Sequence, residues 1–480
     1  MSYLERWYSP SAPSFTAFCV NDIAMEHALR LFPEDQDIIL YETSFENDKL
    51  GRVRLSRQLS ELIEKLENPS VLALDDHWGS GKSFFLKRWV AAHKKENEGT
   101  ATTVYFDAFE NDYLSEPLVS LISAIGERIP EAQQGSLARL KEVGAKLVKP
   151  AFGVALSMAT FGAKQYLDEM GDAFADAFSG EAKDLANGLW SAEADRKSAF
   201  QIFRSQLSHL TDGDFPPLVI VVDELDRCRP DYALSVLEII KHFFSVPKVH
   251  FILGINRESL ENSVKARYGA DINAEKYLRK FIHVSFSLPN IVDSHVGTGT
   301  LATYARDESK RMSLPQDVSN RCIDLTSFTS RRHNVSLRDM GKILSMIALL
   351  PAEASDPNNF RGHKDILSVL LVSSIIAPNF HKRFIAGEVS LGEITSFIGS
   401  TDGELSERIG DQPNDQYNDE VAIWVAEMIY CTSPEGLDGM KFRSEIKAGI
   451  GEAFGGAFRM GDRRQIPRKL QRDWVDIFRI

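Results

Sequence analysis

The chain has 480 residues, of which 43% are hydrophobic, and a formal net charge of −13. This length allows roughly two to four domains with sizeable buried cores. The acidic balance excludes a general electrostatic attraction to nucleic acid or anionic lipid, so such a contact would need a local basic patch. The four cysteines are far apart and show no zinc-binding spacing, which indicates a reducing, cytoplasmic compartment.

Five short runs rich in Val, Ile and Phe predict buried strands, and long helical patterns separate them. The runs cover residues 70–74, 102–108, 218–222, 249–255 and 282–288. Near-continuous apolar strands that alternate with helices are typical of a mostly parallel sheet covered by helices on both faces. The predicted fold class is therefore α/β, a three-layer core around a mostly parallel five-stranded sheet.

The rest of the chain is assigned around this core, which spans residues 41–289. Residues 1–40 are predicted to form an N-terminal arm, and they lack the basic and apolar segments of a secretory signal. An insertion at 120–206 is predicted to be helical. Helical patterns follow the core, as a lid over 290–350 and a C-terminal domain over 351–480.

The most apolar window of the insertion is AFGVALSMATFGA, residues 151–163. It is shorter than the ~20 residues that a membrane helix needs, so we expect no stable membrane insertion. We interpret the window as a buried helix or hairpin rich in small residues.

A basic tail ends this otherwise acidic chain. Its basic residues are Arg459, Arg463, Arg464, Arg468, Lys469, Arg472 and Arg479. The tail is either a solvated face or a patch that binds nucleic acid.

The stretch LALDDHWGSGKSFF, residues 72–85, nearly matches the phosphate-binding pattern GxxxxGK[ST]. In such a loop, backbone N–H groups and the positive end of a helix dipole face the phosphates. Asp76 stands in place of the first glycine, and we expect it to adopt a left-handed backbone with modest strain and weaker phosphate affinity. The predicted contact residues are Trp78, Gly79, Ser80, Gly81, Lys82, Ser83 and Phe84.

A second motif follows the third predicted strand, in PPLVIVVDELDRC. The strand ends in Asp223 and Glu224, which predicts one carboxylate that holds Mg²⁺ through water and one that orients the attacking water. Two acids after a strand can also mark a solvated turn, but the upstream Lys82 favours the catalytic interpretation. Asn256 follows the fourth strand, where it either holds that water or caps the strand end.

Five blocks in register closely resemble the KAP family of P-loop NTPases, which are relatives of the AAA+ and STAND ATPases. The blocks are GSGKS, VYFDAFENDYLSEPLVSLI, VVDELDRCRP, GINRESLENSVKARYG and EKYLRKFIHVSFSLP, and the resemblance covers residues 47–289. It implies a P-loop core with an additional strand, ATP as the nucleotide, and often two membrane spans before the second carboxylate motif. Because the insertion here has only one short apolar window, we place the chain with the soluble members.

The resemblance also assigns roles to single residues. Lys82 corresponds to the phosphate lysine and Ser83 to the hydroxyl that binds Mg²⁺. Asp223 corresponds to the magnesium carboxylate and Glu224 to the catalytic base. Asp226 and Arg227 match the family's DR pair, for which a structural or inter-subunit role is expected; this pair directly follows Glu224 and Leu225.

Three more basic residues are assigned by resemblance. Arg279 and Lys280 precede the last strand, where AAA-like relatives place an arginine finger that acts on a neighbour's nucleotide. A finger of this kind implies a homo-oligomer, although a solvated helix end is the alternative interpretation. Arg338 lies where an arginine of a lid helix could reach the γ-phosphate.

The leading hypothesis is a soluble bacterial KAP-type ATPase that binds Mg-ATP and hydrolyses it slowly, as a molecular switch or assembly ATPase. By resemblance alone, we favour a role in anti-phage defence with a separate effector protein, because we recognise no nuclease, protease or deaminase motif. Two alternatives stay open. One is a nucleotide-dependent scaffold with incidental hydrolysis, and the other is a nucleic-acid motor or loader that uses the basic tail.

Overall fold

The computed structural model describes most of the chain, with gaps. The described residues are 31, 38–46, 48–114, 116–129, 134–147, 201–213, 215–243, 246–289, 299–330, 332–399, 416–438, 440, 442–455 and 462–476. Most of the predicted N-terminal arm and residues 148–200 of the predicted insertion, with its apolar window, lie outside this set.

Five parallel strands form one sheet in the order β2-β3-β4-β1-β5. They are β1 (Val71–Asp75), β2 (Thr102–Asp107), β3 (Leu218–Asp223), β4 (Val249–Ile255) and β5 (Val284–Phe286). The five predicted strands are confirmed, with ends that shift by at most two residues. Strand β4 lies between β1 and β3, and it is the additional strand that the resemblance implied.

Helices precede, connect and follow these strands along the chain. They are α1 (Val53–Lys65), α2 (Lys82–Lys95), α3 (Pro117–Gly126), α4 (Gln134–Leu147), α5 (Pro230–Phe243), α6 (Arg257–Tyr268), α7 (Ala274–Leu278), α8 (Thr300–Arg311), α9 (Gln316–Thr329), α10 (Leu337–Ala348), α11 (Arg361–Ile376), α12 (Pro378–Ala386), α13 (Leu391–Ile398), α14 (Gln416–Thr432), α15 (Ser444–Ala453) and α16 (Ile466–Leu470). A further helical segment covers residues 201–208.

The sheet separates two apolar layers, because successive strand residues point to opposite faces. Leu72 and Leu74 of β1 pack on one face with apolar residues of α1 and α2. Val71 and Ala73 of the same strand pack on the other face with residues of α3 to α7. The predicted three-layer α/β core is therefore confirmed, and its near-continuous apolar strands reflect burial on both faces.

The helices from α8 onward share one hydrophobic core, which extends from Leu301 to Val475. The predicted boundary between a lid and a C-terminal domain, near residue 350, falls inside this core. The core includes Leu344 of α10 on one side of that boundary and Leu370 of α11 on the other. The packing of this core thus shows no boundary at this position, and the division into two units remains a prediction.

Across the described residues, each helix is either too short or too polar to span a membrane.

Candidate nucleotide-binding site

The candidate phosphate-binding loop occupies residues 76–81, between the end of β1 and the start of α2. Gly79 and Gly81 shape it, because their φ angles of 84° and 89° lie in the left-handed region that favours glycine. A Cβ atom at Gly79 would also lie 2.7 Å from Ser336 Oγ, at the start of α10. Glycine is therefore required there both by the backbone and by the close approach of a helix.

Asp76 lacks the left-handed backbone that the sequence suggested. Its φ is not among the positive values of the described residues, and its N–H donates to the Ile255 carbonyl at 3.2 Å, which continues the pairing of β1 with β4. Its carboxylate accepts a hydrogen bond from the His77 N–H at 2.8 Å. The expected strain is thus wrong, because the chain is still paired with β4 at this position. Weaker phosphate affinity stays a prediction.

Lys82 lies inside the loop, 9% exposed. Its Nζ atom donates to the backbone carbonyls of Asp76 and His77 at 2.7 and 3.0 Å. Burial lowers the pKa of Lys82, although the nearby carboxylates of Asp226 and Asp223 act in the opposite direction. The ammonium group is therefore held where a phosphate oxygen could replace the two carbonyls.

Asp223 ends β3 and is 1% exposed. Its Oδ2 atom accepts a hydrogen bond from the Tyr105 hydroxyl at 2.8 Å. Burial raises the pKa of Asp223 to about 6, against the effects of the hydrogen bond from Tyr105 and of the nearby Ser83 hydroxyl. Strand β4 leaves space for this carboxylate because Gly254 has no side chain: a Cβ atom there would collide with Asp223 Oδ1 and lie 2.6 Å from Leu86 Cδ1.

Glu224 has a φ angle of 58°, a left-handed value that is uncommon for a residue with a side chain. Its carboxylate accepts a hydrogen bond from Ser83 Oγ at 3.2 Å and pairs with the Arg227 guanidinium at 2.8 Å. Ser83 belongs to the first turn of α2, so these contacts join the start of that helix to the end of β3. The structure thus brings Lys82, Ser83, Asp223 and Glu224 together.

A comparison with protein families identifies the family of this chain. The model described as KAP family P-loop domain matches residues 52–353, which is more than half of the chain. The chain belongs to the KAP family. No curated protein matches the sequence.

Solved structures show weaker likenesses to this KAP chain. Cdc6p from Pyrobaculum aerophilum is 12% identical, with 92% of this chain and 90% of that chain covered and a TM-score of 0.35. The ORC2 protein from Aeropyrum pernix, in ADPNP–ADP complexes, is 12% identical over 90% and 97% of the two chains, with a TM-score of 0.31. The ORC1 protein from Aeropyrum pernix, in complex with DNA, is 15% identical over 80% and 85%, also with a TM-score of 0.31. TM-scores this low carry no argument about the KAP chain.

The other predicted loop residues differ in their exposure. The Trp78 side chain is half exposed, and its indole Nε1 donates to Asp226 Oδ2 at 2.6 Å. This bond gives Asp226, the acidic residue of the KAP pair DR, a structural contact with the loop. Ser80 is buried, and its Oγ atom has no hydrogen-bond partner among the residues that the structure describes. Phe84 is half buried in the first turn of α2.

Asn256 caps helix α6, since its Oδ1 atom accepts a hydrogen bond from the Ser259 N–H at 3.0 Å. Asn256 therefore caps the helix that follows the strand, and a role of Asn256 in holding a water molecule remains a prediction.

The three predicted basic residues occupy two places. Arg279 and Lys280 are exposed at the end of α7, where Arg279 pairs with Glu275 at 2.6 Å and Lys280 lies 5.6 Å from the Tyr277 ring centroid. Arg338 lies beside the phosphate-binding loop, because a Cβ atom at Gly79 would be 2.9 Å from Arg338 Cβ.

Part of the basic tail is used inside the helical region. Arg463 donates to the Pro434 carbonyl at 2.7 Å, and Arg468 donates to the carbonyls of Ile385 and Ala386 at the end of α12. Other members form local ion pairs, such as Arg472 with its neighbour Asp473. Two members, at positions 459 and 479, lie outside the described residues.

Three residues of the site escaped the sequence interpretation. Tyr105 binds the Asp223 carboxylate, Gly254 leaves space for it, and Arg52 donates to the loop carbonyls of Ser80 and Gly81. A hydroxyl in an apolar strand and a glycine inside a strand were weak signals for the first two. Arg52 had no local signal, because its partners lie 28 and 29 residues further along the chain.

The residues of the candidate site fit a nucleoside triphosphate with Mg²⁺. A serine hydroxyl and carboxylates are the oxygen ligands that Mg²⁺ prefers, usually together with substrate phosphates. Within the described ranges, there is no group of three or more His, Cys, Asp or Glu side chains that could hold a metal ion. The unpartnered Ser80 Oγ offers a further polar contact inside the loop.

Replacement of Gly254 by alanine should damage the site and the sheet together. The new methyl group must displace Leu86 or the Asp223 carboxylate, so we expect Gly254→Ala to lower the free energy of unfolding by about 1–3 kcal/mol and to weaken nucleotide binding. As a control, Gly449→Ala in helix α15 meets open space and should be neutral or stabilising by up to about 1 kcal/mol. Denaturant unfolding and calorimetry measure both effects. Equal stability and equal binding in the two variants would show that Gly254 has no such role.

Proposed function

We propose that this KAP chain binds Mg-ATP and hydrolyses it slowly, as a molecular switch or assembly ATPase. The observation that carries the proposal is the convergence of Ser83 with the carboxylates of Asp223 and Glu224, beside Lys82. Lys82 and Ser83 begin α2, while Asp223 and Glu224 lie at the end of β3, so two segments far apart in the chain meet here. A merely solvated turn would not need the burial of Lys82 and Asp223. ATP is chosen over GTP because no NKxD-type base-recognition motif follows β4.

The roles follow from the contacts. Lys82 would exchange the carbonyls of Asp76 and His77 for phosphate oxygens. Ser83, and Asp223 through water, would hold Mg²⁺, which neutralises phosphate charge when bound. Glu224 would orient the attacking water and accept its proton.

Slow turnover is supported by the resting contacts of Glu224. Its carboxylate is paired with Arg227 and accepts a hydrogen bond from Ser83. A general base must give up such contacts before it can take a proton from water. The same contacts favour the second candidate function, a scaffold in which ATP binding matters and hydrolysis is incidental.

The substitution Glu224→Gln separates the two candidates. It keeps the shape of the side chain and leaves Asp223 in place, so ATP should bind with nearly unchanged affinity while turnover drops by orders of magnitude. Calorimetry and a phosphate-release assay measure the two quantities, and Lys82→Ala serves as the variant that should lose binding. If wild type and Glu224→Gln release phosphate at the same rate, the scaffold is the better description. If the wild type fails to bind Mg-ATP at millimolar nucleotide, both candidates fail.

We further propose that Arg279 or Lys280 completes the site of a neighbouring copy in a homo-oligomer. Their exposure at the end of α7 supports this, since both side chains are accessible to a second chain. Arg338, from the start of α10, would reach the γ-phosphate within the same chain. Asn256 would help to hold the attacking water.

Mixing two inactive variants tests the contribution in trans. Glu224→Gln and Arg279→Ala, or Lys280→Ala, should each be nearly inactive, with a finger substitution lowering turnover by up to about 10³-fold. Their mixture should regain activity, because some interfaces pair an intact Glu224 with an intact finger. Variants that co-assemble by size measurement and yet regain nothing would exclude a finger at these positions.

By resemblance to KAP proteins alone, we propose that the switch acts in bacterial anti-phage defence, in the cytoplasm and with a separate effector protein. Cells that carry the chain with its neighbouring genes should resist infection, and Lys82→Ala should remove that resistance. Plaque counts with and without the substitution measure this. Equal plaque counts across a broad phage panel would contradict the defence role and leave the ATPase proposal intact.

A further inference from the structure

Arg52 lies directly behind the phosphate-binding loop. Its Nη2 atom donates to the Ser80 carbonyl at 2.6 Å, and its Nη1 atom donates to the Gly81 carbonyl at 3.0 Å. The residue is 0% exposed. One buried guanidinium thus holds two consecutive carbonyls of the loop.

These two bonds set the direction of two peptide planes. In a planar trans peptide, a carbonyl group and the N–H of the next residue point in opposite directions. The N–H groups of Gly81 and Lys82 therefore lie on the side of the loop opposite Arg52. They open helix α2, where N–H groups have no intrahelical partner and form an anion site.

The guanidinium keeps its charge in this buried place. Burial lowers the pKa of Arg52 to about 10, while Asp48 and Asp76 act in the opposite direction, so the side chain is protonated at neutral pH. Asp48 also anchors the start of α1, since its carboxylate accepts hydrogen bonds from the N–H groups of Leu50 at 2.9 Å, of Val53 at 3.0 Å and of Arg52 itself. Hydrogen bonds thus hold both the backbone and the guanidinium group of Arg52 in place.

The contact between Arg52 and the loop also leaves no space for a side chain at Gly81. A Cβ atom there would lie 2.8 Å from Arg52 Nη1 and 3.4 Å from Leu337 Cδ1 of helix α10. Arg52 and the start of α10 therefore both border the loop at Gly81.

We infer that Arg52 is a positioning residue for the phosphate-binding loop. It holds the carbonyls of Ser80 and Gly81 back, so that the N–H groups of Gly81 and Lys82 face the nucleotide phosphates. It acts through the backbone and does not touch the nucleotide. This inference rests on the proposed binding of Mg-ATP.

The test compares nucleotide binding in Arg52→Met and Arg52→Lys with the wild type. Methionine fills similar space without either hydrogen bond, so we expect the Kd for ATP and for ADP to rise about tenfold to a hundredfold. Lysine keeps the charge but cannot span two carbonyls with a planar fork, so it should still raise both Kd values measurably, by up to about tenfold. Because phosphate contacts form already in the ground state, KM should rise more than kcat falls.

Arg88→Met is the matched control, because Arg88 is also buried and donates to a backbone carbonyl, that of Ser44, at 2.8 Å. It should lose stability while it keeps wild-type affinity for ATP. Circular dichroism and the thermal midpoint show which variants are folded at the temperature of the titration, and Arg52→Lys carries the test if Arg52→Met does not fold.

Three outcomes are distinct. Weakened ATP and ADP binding in a folded Arg52 variant, with Arg88→Met unchanged, supports the inference. A folded Arg52 variant with wild-type Kd and KM overturns it and leaves the proposed ATPase intact. Absence of Mg-ATP binding by the wild type itself overturns the proposed function, and the inference with it.

Discussion

Parallel pairing of β1, β3 and β4 is the constraint on which the rest of this KAP chain depends. Their carboxyl ends meet at one edge of the sheet, which places the loop after β1, Asp223 at the end of β3 and Asn256 after β4 side by side. The register sets Asp223 opposite Gly254, the one residue type that leaves space for a buried carboxylate at that point. Since side chains alternate along a strand, a slip of one residue would turn Asp223 to the other face.

Charges are buried around the loop at a cost in folding free energy. A charged group removed from water is destabilising unless other groups compensate for it. Arg52 and Lys82 are compensated by loop carbonyls. Asp223 is compensated by the Tyr105 hydroxyl and the Glu224 N–H. Burial shifts each of these pKa values in the direction that favours the neutral side chain. A bound phosphate with its cation would supply charges opposite to those of the site.

The helical region meets the loop at the start of α10. Ser336 caps that helix in a reciprocal capping box with Asp339, which fixes where the helix begins. The same turn touches Gly79 and Gly81, and the buried side of α10, with Ile343, belongs to the core shared by α8 to α16. The loop is therefore in contact with a helix of this shared core, and the proposed switch would act through that contact.

The sequence by itself determined the class of fold, the five strands and the residues of the two main motifs. These features are local: apolar runs buried on both faces, a glycine-rich turn before a helix, and acids at a strand end can each be recognised within a few residues. Only the tertiary structure decided that Asp76 stays paired with β4, that Gly254 makes space for Asp223, and that Arg52 holds the loop from behind. It also showed one apolar core across the predicted boundary near residue 350. The physical reason is that these features arise from contacts between residues far apart in the chain. The distances between those residues depend on strand register and helix packing, which leave at most a weak local pattern in the sequence.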